Sequence, residues 1–458
     1  MRAVQCAHFR WAGERPTHCL FIGTSNASQP LAVQPVYLAA SAINSVIHAL
    51  PAGTAYFIGI VLITMFTGQL VHHQGSLARA ALPYVLHLRW GWHRVERAMA
   101  RGQVSLDVVF DRALTWCLEC LPVEPVRLGS ARRTVHASDS STVVRLRANQ
   151  KRCALLGKGY CHRAQRAVQA NLVAALTTVV LIGGVRVGVV RRTRFGATCQ
   201  EAVAQVFAGL PESPEKRLFS VDAGIATIEQ FRAATERDAL VGRLRKNVTL
   251  RRAPAPKRPG KRGRSALHGP VLHPGAKRPE GCPDEDTTLR IEEREVRVRR
   301  WRNLHFREAP QTRIDVVRVD DPAYKRPLLI GTTARELTTD EIRSAYAHRW
   351  PIETNFYVAQ GTCAREMPRA WSETGVERRI SLALLAGSLL KAIAAACPPL
   401  AMGPWDRKAV GSAGRLANHL ELHAGHFVTL ALEGIVPRKY RKIANAKETA
   451  DLQLPLAA

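Results

Sequence analysis

Side chains with complementary chemistry recur at helical spacing between Ala345 and Gln360. The segment reads AYAHRWPIETNFYVAQ and brings Tyr346, Arg349, Glu353 and Gln360 within roughly 60° of one another, at about 100° per residue. A hydroxyl, a guanidinium and a carboxylate on one helical face suit contacts with phosphate and with a metal ion. The ordinary alternative is an exposed ion pair between Arg349 and Glu353 that only solvates the helix.

The residues around this face predict where its helix begins and where it bends. Thr338 and Glu341 have capping-box spacing, and the acidic side chains of Asp340 and Glu341 suit a helix N-terminus. Pro351 lacks an amide hydrogen, and its ring clashes with the preceding turn. We therefore expect a kink at Pro351 that leaves the polar face intact.

Two further carboxylates, Asp139 and Asp222, follow β-like runs far upstream of this segment. The predicted elements follow in this order: a strand at Thr134 to Ser138, a hairpin of Leu176 to Ile182 and Val185 to Val190 through Gly183-Gly184, and a helix at Phe195 to Ala208. A strand at Arg217 to Val221, a helix at Thr227 to Arg237 and a strand at Ala239 to Leu244 complete the series. Acids at the ends of the first and fourth strands are typical of a ribonuclease-H-like mixed sheet. The sequence therefore predicts an α/β protein with such a core.

Asp139, Asp222 and Glu353 form a candidate metal-binding set. Phosphodiester cleavage can use two divalent cations, one activating the attacking oxygen and one stabilising the leaving oxygen. Mg²⁺ and Mn²⁺ prefer oxygen ligands and Mg²⁺ keeps several waters, so three carboxylates suffice. Three clustered acids without cations would raise one another's pKa by repulsion. We therefore predict that these carboxylates converge in the fold and hold two such ions.

The charge of the chain predicts an anionic partner. Its 458 residues include 66 Lys and Arg against 37 Asp and Glu, which gives a formal net charge of +29. A hydrophobic content of 46% at this length allows two or three domains with substantial cores. Double-stranded DNA fits best, because its phosphates are dense and counterions are released on binding; an acidic membrane is the alternative. Nothing in the sequence indicates a small-molecule substrate.

A basic segment from Arg243 to Pro279 contains no Asp or Glu and is interrupted by Pro and Gly. Such a composition predicts a mobile loop that does not pack as a core and follows a nucleic-acid backbone; a solvated linker without a partner is the alternative. The candidate DNA-binding residues here are Arg243, Arg245, Lys246, Lys257, Arg258, Lys261, Arg262 and Arg264.

The most apolar window, Tyr56 to Phe66, raises the question of a membrane span. It holds 11 residues, whereas about 20 apolar residues are needed to cross a bilayer, so a buried helix is favoured. Arg94, Arg97 and Arg101 lie beyond it at helical spacing, which predicts a helical N-terminal domain with a basic face for DNA.

Cysteine usage and the N-terminus predict a cytoplasmic protein. The ten cysteines are irregularly spaced, with Cys117 and Cys120 the one close pair, so we expect free thiols; a zinc site is the alternative. The first 30 residues show no secretory signal.

Further β-like runs separate Asp222 from Glu353, at Thr288 to Arg300, Leu304 to Glu308, Arg313 to Val319 and Leu328 to Thr332. After Glu353 we expect a long apolar helix from Val376 to Ala396 and a basic helical tail. The predicted organisation is an uncertain leader at 1–30, a helical DNA-binding domain at 31–130, the first part of the core at 131–245, a basic loop with a β-rich insertion at 246–334, the second part of the core at 335–400, and a basic tail at 401–458.

Taken together, these motifs resemble the DDE transposases of bacterial insertion sequences, of the insertion-sequence-four type. Tyr346, Arg349 and Glu353 match the first three letters of the signature Y-x2-R-x3-E-x6-K, and the intervening WPI is also similar to that branch. The DSST after the first strand, the VDAGIA with its following helix and RLRKN, the β-rich insertion and the signature helix occur in the family's order. The resemblance covers roughly Arg132 to Ala396.

The resemblance implies a metal-dependent DNA recombinase associated with the bacterial nucleoid. Such an enzyme binds the terminal inverted repeats of its element, cuts at the ends and joins the free 3′ hydroxyls to a target, as a homodimer on paired ends. Carried over by position, Asp139 and Asp222 would hold two Mg²⁺ or Mn²⁺ ions with Glu353, while Tyr346 and Arg349 would contact phosphate near the cut.

Gln360 is the departure from the signature, because it stands where the family has Lys. Gln offers a neutral hydrogen bond that is roughly half as strong as a charged one or less, and Arg365 lies further around the helix from the Glu353 face if the helix continues. The alternative function is therefore a catalytically impaired or repurposed DNA-binding protein. Trp301 or Trp350 could stack on an unpaired base, although core positions are the ordinary expectation for both.

Overall fold

The structure is a computed structural model of the chain. It describes residues 34–82, 93–145, 155–161, 164–256, 266–276, 281–291, 293–370, 372–401, 406 and 409–435. The predicted leader, the basic cluster near Arg438, and Lys257, Arg258, Lys261, Arg262 and Arg264 lie outside the described residues.

The N-terminal part is helical, as predicted. Its helices are α1 (Gln34–Ile47), α2 (Ala52–Phe66), α3 (Gln69–His72), α4 (Leu77–Ala81), α5 (His93–Arg101) and α6 (Leu106–Cys120). The apolar window Tyr56 to Phe66 lies within the 15-residue helix α2, almost all of which is buried against neighbouring helices. The prediction of a buried helix is therefore confirmed. Arg94, Arg97 and Arg101 are exposed on α5, as expected for a basic face.

Two short strands, β1 (Val123–Pro125) and β2 (Arg127–Leu128), lead into one large sheet with twelve further strands: β3 (Arg133–Val144), β4 (Leu156–Cys161), β5 (Arg166–Ile182), β6 (Val185–Gly196), β7 (Arg217–Val221), β8 (Asp238–Arg243), β9 (Leu250–Arg251), β10 (Val271–Leu272), β11 (Glu285–Ile291), β12 (Arg294–Phe306), β13 (Ala309–Asp320) and β14 (Leu328–Thr332). Two helices interrupt this series, α7 (Cys199–Ala208) and α8 (Ile228–Ala233). The protein is thus a mixed α/β fold, as predicted.

Five strands form the centre of the sheet in the order β6-β5-β3-β7-β8. The strands β6, β5 and β3 are antiparallel to one another, whereas β7 runs parallel to both β3 and β8. The chain therefore forms a meander of three strands and adds the next two on the other side of β3, with α7 and α8 in the connections. This order places the end of β7 beside the middle of β3, where Val221 pairs with Ser138.

The turn between β5 and β6 is the predicted two-glycine hairpin. Ile182 pairs with Val185, and Gly183 and Gly184 have φ values of 54° and 78°. Positive φ at both central residues is the requirement of a type I′ turn, which explains the two glycines. Both strands are longer than predicted: β5 begins at Arg166, and β6 continues to Gly196. Phe195 therefore belongs to β6 and not to the expected helix.

Two other predicted boundaries are corrected. The strand before Asp139 does not end there, because β3 continues through Asp139 to Val144 and pairs with β5 along this stretch. The amphipathic run from Thr227 to Arg237 forms only the short helix α8, capped by the Thr227 hydroxyl. The strand that precedes Asp222 ends at Val221, as predicted.

The insertion extends the same sheet beyond β8 in the order β14-β13-β12-β9-β10, with β11 paired to β12. Thr288 to Arg300 forms parts of two antiparallel strands, β11 and β12, instead of one. The basic segment is also more ordered than expected in its described part, because Leu250 and Leu272 are buried in a core with Trp301. The prediction that this segment cannot pack is wrong for β9 and β10.

The remaining helices are α9 (Thr339–Ala347), α10 (Trp350–Gly361), α11 (Glu373–Ala396), α12 (Ala413–Leu422) and α13 (Ala424–Ala431). Helix α11 packs against α10, β6 and the N-terminal helices, so a hydrophobic core runs from α1 and α2 through α11 to the sheet. Helix α13 packs against α1 and α2, and its Phe427 stacks on Phe66 of α2 with 6.4 Å between ring centroids.

Among the described residues, α11 is the helix long and apolar enough to cross a membrane, and 83% of its most apolar window is buried inside the protein. Together with α2 it forms the protein interior. The cysteines that the structure describes, including Cys117 and Cys120, form no disulfide with one another.

Candidate active site

The signature segment folds as two helices, which corrects the predicted kink. Helix α9 begins with a capping box in which Thr338 and Glu341 bond reciprocally, as predicted, and it ends at Ala347. Helix α10 then starts at Trp350, with Pro351 in its first turn. The amide that proline lacks has no intrahelical partner at that position, so Pro351 starts a helix here.

The register of the central strands brings Asp139 and Asp222 to one level. In the parallel pairing of β3 with β7, Ser138 lies opposite Val221, and each carboxylate residue comes next in its chain. Neighbouring strands are about 4.8 Å apart. Asp139 shares its face of β3 with Ala137 and Val143, the face that α10 and α11 cover.

Residues of the broken helix reach both carboxylates. Tyr346, on α9, donates a hydrogen bond from its hydroxyl to Asp222 Oδ1 at 3.1 Å. Arg349, at the start of α10, places its Nη1 3.3 Å from Asp139 Oδ2 and also forms an ion pair with Glu353. The Arg349 guanidinium lies 5.5 Å from the centroid of the Tyr346 ring. The structure therefore brings together Asp139, Asp222, Tyr346, Arg349 and Glu353.

Asp139 is under electrostatic strain in this cluster. Burial raises the pKa of its carboxyl to about 6, and the charges of Asp222 and Glu353 add to the increase. The backbone amide of Ser140 and the guanidinium of Arg349 act in the opposite direction. The site therefore carries more negative charge than Arg349 alone balances.

Arg349 itself is 7% exposed and retains an unused donor. Its Nε is buried without a hydrogen-bond partner, while Nη1 contacts Asp139 and Glu353. A buried donor without a partner costs free energy. A phosphate oxygen at Nε would satisfy this donor.

Helix α10 is held from behind by a second polar network. Asn355 donates from Nδ2 to the carbonyl of Gly188 on β6 at 2.7 Å. Lys391, on α11, donates to Asn355 Oδ1 at 3.0 Å and also bonds the Pro351 carbonyl and the Thr354 hydroxyl. Burial lowers the pKa of Lys391 to about 8. These contacts fix the helix that carries Glu353, and the sequence analysis did not identify them.

Gln360 is exposed near the end of α10, on the turn that follows the Glu353 face. Arg365 provides the nearby cation by a different route. Helix α10 ends at Gly361, and Ala364 adopts a φ of 58°, which turns Arg365 back toward the sheet. Its Nη1 donates to Ser141 Oγ at 3.0 Å, and Ser141 lies two residues beyond Asp139 on the same face of β3.

The prediction that Arg365 points away is therefore wrong, because it assumed that the helix continues. Gly361 was the available signal for the helix end. Arg365 also pairs with Glu366 and lies 5.2 Å from the centroid of the Phe356 ring, so its charge is partly balanced.

The two tryptophans differ in burial. Trp301 is fully buried, as expected for a core residue, whereas Trp350 is 61% exposed on α10. Tyr357, two turns further along the same helix, is 78% exposed. The expectation of a core position is thus wrong for Trp350. Two large aromatic rings flank Glu353 on the accessible side of α10.

The donor chemistry of the three carboxylates fits hard divalent cations, which prefer oxygen ligands. Burial is the main reason that the pKa of Asp139 is raised, and a bound cation would favour its ionised form. No group of three or more His, Cys, Asp or Glu in the described part of the chain is already arranged as a metal-ligand set. Here Arg349 lies between Asp139 and Glu353.

The basic residues at the start of the basic segment are accessible. Arg243, at the end of β8, and Arg245 and Lys246 after it are exposed. They follow the central strand that pairs with β7, so they lie on the same sheet as Asp222.

The chain was compared with protein-family models and with curated proteins. No protein-family model matches the chain, and no curated protein matches it significantly.

Proposed function

We propose that the protein is a DDE transposase with a ribonuclease-H-like catalytic core, which cleaves DNA at the ends of its element and joins them to a target. The observation that carries this proposal is that the fold gathers three carboxylates from distant stretches of the chain: Arg349 links Asp139 to Glu353, and the register of β3 with β7 sets Asp222 level with Asp139. The strand order β6-β5-β3-β7-β8, with Asp139 on β3 and Asp222 directly after β7, supports the ribonuclease-H-like assignment.

The chain's own residues would bind and orient the scissile phosphate. The hydroxyl of Tyr346 stays protonated at neutral pH, because burial raises its pKa, and it can therefore donate to a phosphate oxygen. Arg349 offers its unpartnered Nε to the same group. Exposed Trp350 is placed to stack on a base at the DNA end.

Asp139, Asp222 and Glu353 would hold two Mg²⁺ or Mn²⁺ ions. Bound there, the ions would supply activation of the attacking oxygen and stabilisation of the leaving oxygen. To contact phosphate, Arg349 would exchange at least one of its carboxylate partners for a phosphate oxygen. Paired DNA ends need paired active sites, so we propose a homodimer on DNA as the active form.

The test is cleavage of DNA carrying the ends of the flanking element, with purified protein and Mg²⁺ or Mn²⁺. We expect Asp139→Asn, Asp222→Asn and Glu353→Gln each to reduce cleavage by at least about 100-fold, because each removes a charged ligand of the proposed ions. DNA binding should persist, since these residues add negative charge to the site.

Glu366→Gln is the matched control, because this carboxylate pairs with Arg365 beside the site and belongs to no proposed ligand set. Cleavage that continues at the original rate in all three carboxylate variants would disprove the proposal. Short inverted repeats bordered by a direct duplication around the reading frame would support it independently.

A second candidate is a DNA-binding protein that derives from a transposase and no longer cleaves. The observation that favours it is Gln360, which is exposed and neutral where the resembling family has Lys. Steeply salt-dependent binding without cleavage under either metal would support this candidate. Recovery of cleavage by Gln360→Lys would identify the missing charge as the cause.

A further inference from the structure

Four cationic or titratable side chains meet at the outer part of the insertion, away from the candidate active site. Arg251 is on β9, His305 on β12 and Arg313 on β13, while His268 lies in the segment that pairs with β9. His305 is paired directly with Arg251 across the strands. These residues come from four separate stretches of the chain, so only the folded insertion assembles them.

The hydrogen bonds of this cluster have defined donors and acceptors. Arg313 Nη1 lies 2.8 Å from His305 Nδ1, and an arginine can only donate, so Nδ1 accepts. A neutral His305 then carries its proton on Nε2 and donates it to His268 Nδ1, which lies 3.1 Å away. The two rings are stacked with centroids 5.3 Å apart. The Nε2–H of His268 is therefore the donor at the end of this relay.

The cluster lacks balancing negative charge. Within the described residues no carboxylate bonds to any of the four side chains, and the neighbouring acids are engaged elsewhere: Asp284 with Arg252 at 3.2 Å and Asp315 with Arg300 at 2.6 Å. The Nε of Arg251 is buried without a partner. His305 is fully buried. Arg251 is half-buried, and a guanidinium with a buried, unused donor and no carboxylate partner suits an anion.

We propose that Arg251, His268, His305 and Arg313 form a binding site for a DNA backbone phosphate whose affinity increases as the pH falls. The anion is assigned to DNA because Arg251 belongs to the basic segment that begins at Arg243 and because the whole chain is strongly basic. This inference rests on DNA binding in the proposed function but needs no catalysis.

The direction of the pH dependence follows from the charges that face His305. Burial lowers its pKa, and so do Arg313 on β13, His268 beside it and Arg251 on β9. Each of these groups disfavours a proton on His305, and a second ring proton would also place an N–H at Nδ1 against the Arg313 donor. A bound phosphate would oppose both effects, because its negative charge favours the proton and its oxygen can accept the Arg313 hydrogen bond in place of Nδ1. Phosphate binding is therefore linked to uptake of a proton by the histidine pair, and by reciprocity a lower pH tightens binding.

The experiment measures affinity for a short duplex of unrelated sequence, by fluorescence anisotropy at fixed ionic strength without divalent metal. It uses the full-length chain carrying Asp139→Asn, so that the Asp139 carboxyl does not contribute to the pH dependence. One linked proton changes affinity by at most about tenfold per pH unit. We expect binding to tighten by about tenfold or more between pH 7.5 and pH 5.5.

The double variant His268→Gln, His305→Gln keeps polar side chains but cannot gain a proton. In the same background it should change affinity by less than about threefold over this range. His273→Gln is the matched control, because His273 lies in the same segment but makes its contact with Thr249. It should keep the pH dependence. Thermal melting checks that each variant is folded.

Two outcomes would overturn the inference. One is a double variant with the same pH dependence as its parent. The other is a histidine ring proton resonance of His268 or His305 that shifts with inorganic phosphate but not with the duplex, which would assign the site to free phosphate. Failure of the original protein, with Asp139 intact, to cleave DNA while pH-linked binding is retained would contradict the transposase proposal alone.

Discussion

Asp139 combines two demands that conflict at the level of a single residue. It is largely buried among like charges, yet the proposed chemistry requires it to be ionised. Its pKa of about 6 lies above the ordinary value of 3.8, so the folded protein binds a proton more tightly than the unfolded chain. This carboxyl therefore favours folding at low pH, and that contribution is lost as the pH rises through about 6.

We predict that Asp139→Asn stabilises the metal-free protein at pH 7.5 by about 1 to 3 kcal/mol, because it removes an unfavourable buried charge. The gain should fall below about 1 kcal/mol near pH 4, where the carboxyl is protonated in the folded protein, and vanish below about pH 3, where it is protonated in both states. Denaturant unfolding in EDTA at both pH values measures this effect. Glu212→Gln, in an exposed loop, should change little. Equal destabilisation by Asp139→Asn at both pH values would mean that its charge is already satisfied.

At the level of elements, the candidate site depends on how closely α10 packs on α11. A side chain at Gly387 would place its Cβ 3.1 Å from the backbone nitrogen of Ala359 and 3.4 Å from its Cβ. Gly387 therefore allows the two helices to approach each other. Glu353 is less than two turns from Ala359, so a displacement of α10 would move this carboxylate from Asp139.

We predict that Gly387→Leu destabilises the protein by about 1 to 3 kcal/mol through overpacking. Cleavage should fall much further, by about 100-fold, because a shift of about 1 Å at a reacting group has that effect. Gly414→Leu is the control, since Gly414 is an exposed helical glycine with nothing within 4 Å of its added Cβ. Unfolding curves and cleavage rates at a temperature where both variants are folded distinguish the effects. Unchanged cleavage in Gly387→Leu would disprove the dependence on helix spacing.

At the level of the whole molecule, the net charge of +29 divides into structural and accessible parts. Arg192 is buried and forms two hydrogen bonds of 2.8 Å to Asp111, which joins β6 to α6. Arg300 is buried with Asp315. Such arginines hold elements together and are not available to DNA. The exposed run at Arg243, Arg245 and Lys246 has no such role in the described fold.

We predict that affinity for unrelated duplex DNA falls by about 10³-fold or more between 50 mM and 200 mM salt. Neutralising Arg243, Arg245 and Lys246 together as Gln should reduce the slope of log affinity against log salt by about 2 to 3, because three phosphate contacts are lost.

Arg297→Gln is the control for this measurement, because Arg297 is equally accessible but pairs with Asp286 at 2.6 Å. It should change the slope by less than about 1. A triple variant with the slope of the original protein would show that these residues do not contact the DNA backbone.

Local patterns were sufficient to predict several elements and the identity of the candidate site residues. The capping box at Thr338, the glycine hairpin at Gly183-Gly184, the strand ending before Asp222 and the buried helix around Tyr56 to Phe66 depend on neighbouring residues, which the chain presents in order. The candidate carboxylates could be named because their residue types and their places after β-like runs are visible in the chain.

Only the tertiary structure decided how these parts meet. The parallel register of β3 and β7 brings Asp139 level with Asp222, the break before α10 lets Arg349 reach two carboxylates, and the reversal at Ala364 directs Arg365 to Ser141. The relay from Arg313 to His268 likewise joins residues that no local pattern connects. Such contacts form between segments distant in sequence, and their geometry results from the packing of whole elements. Local propensity carries no information about that packing.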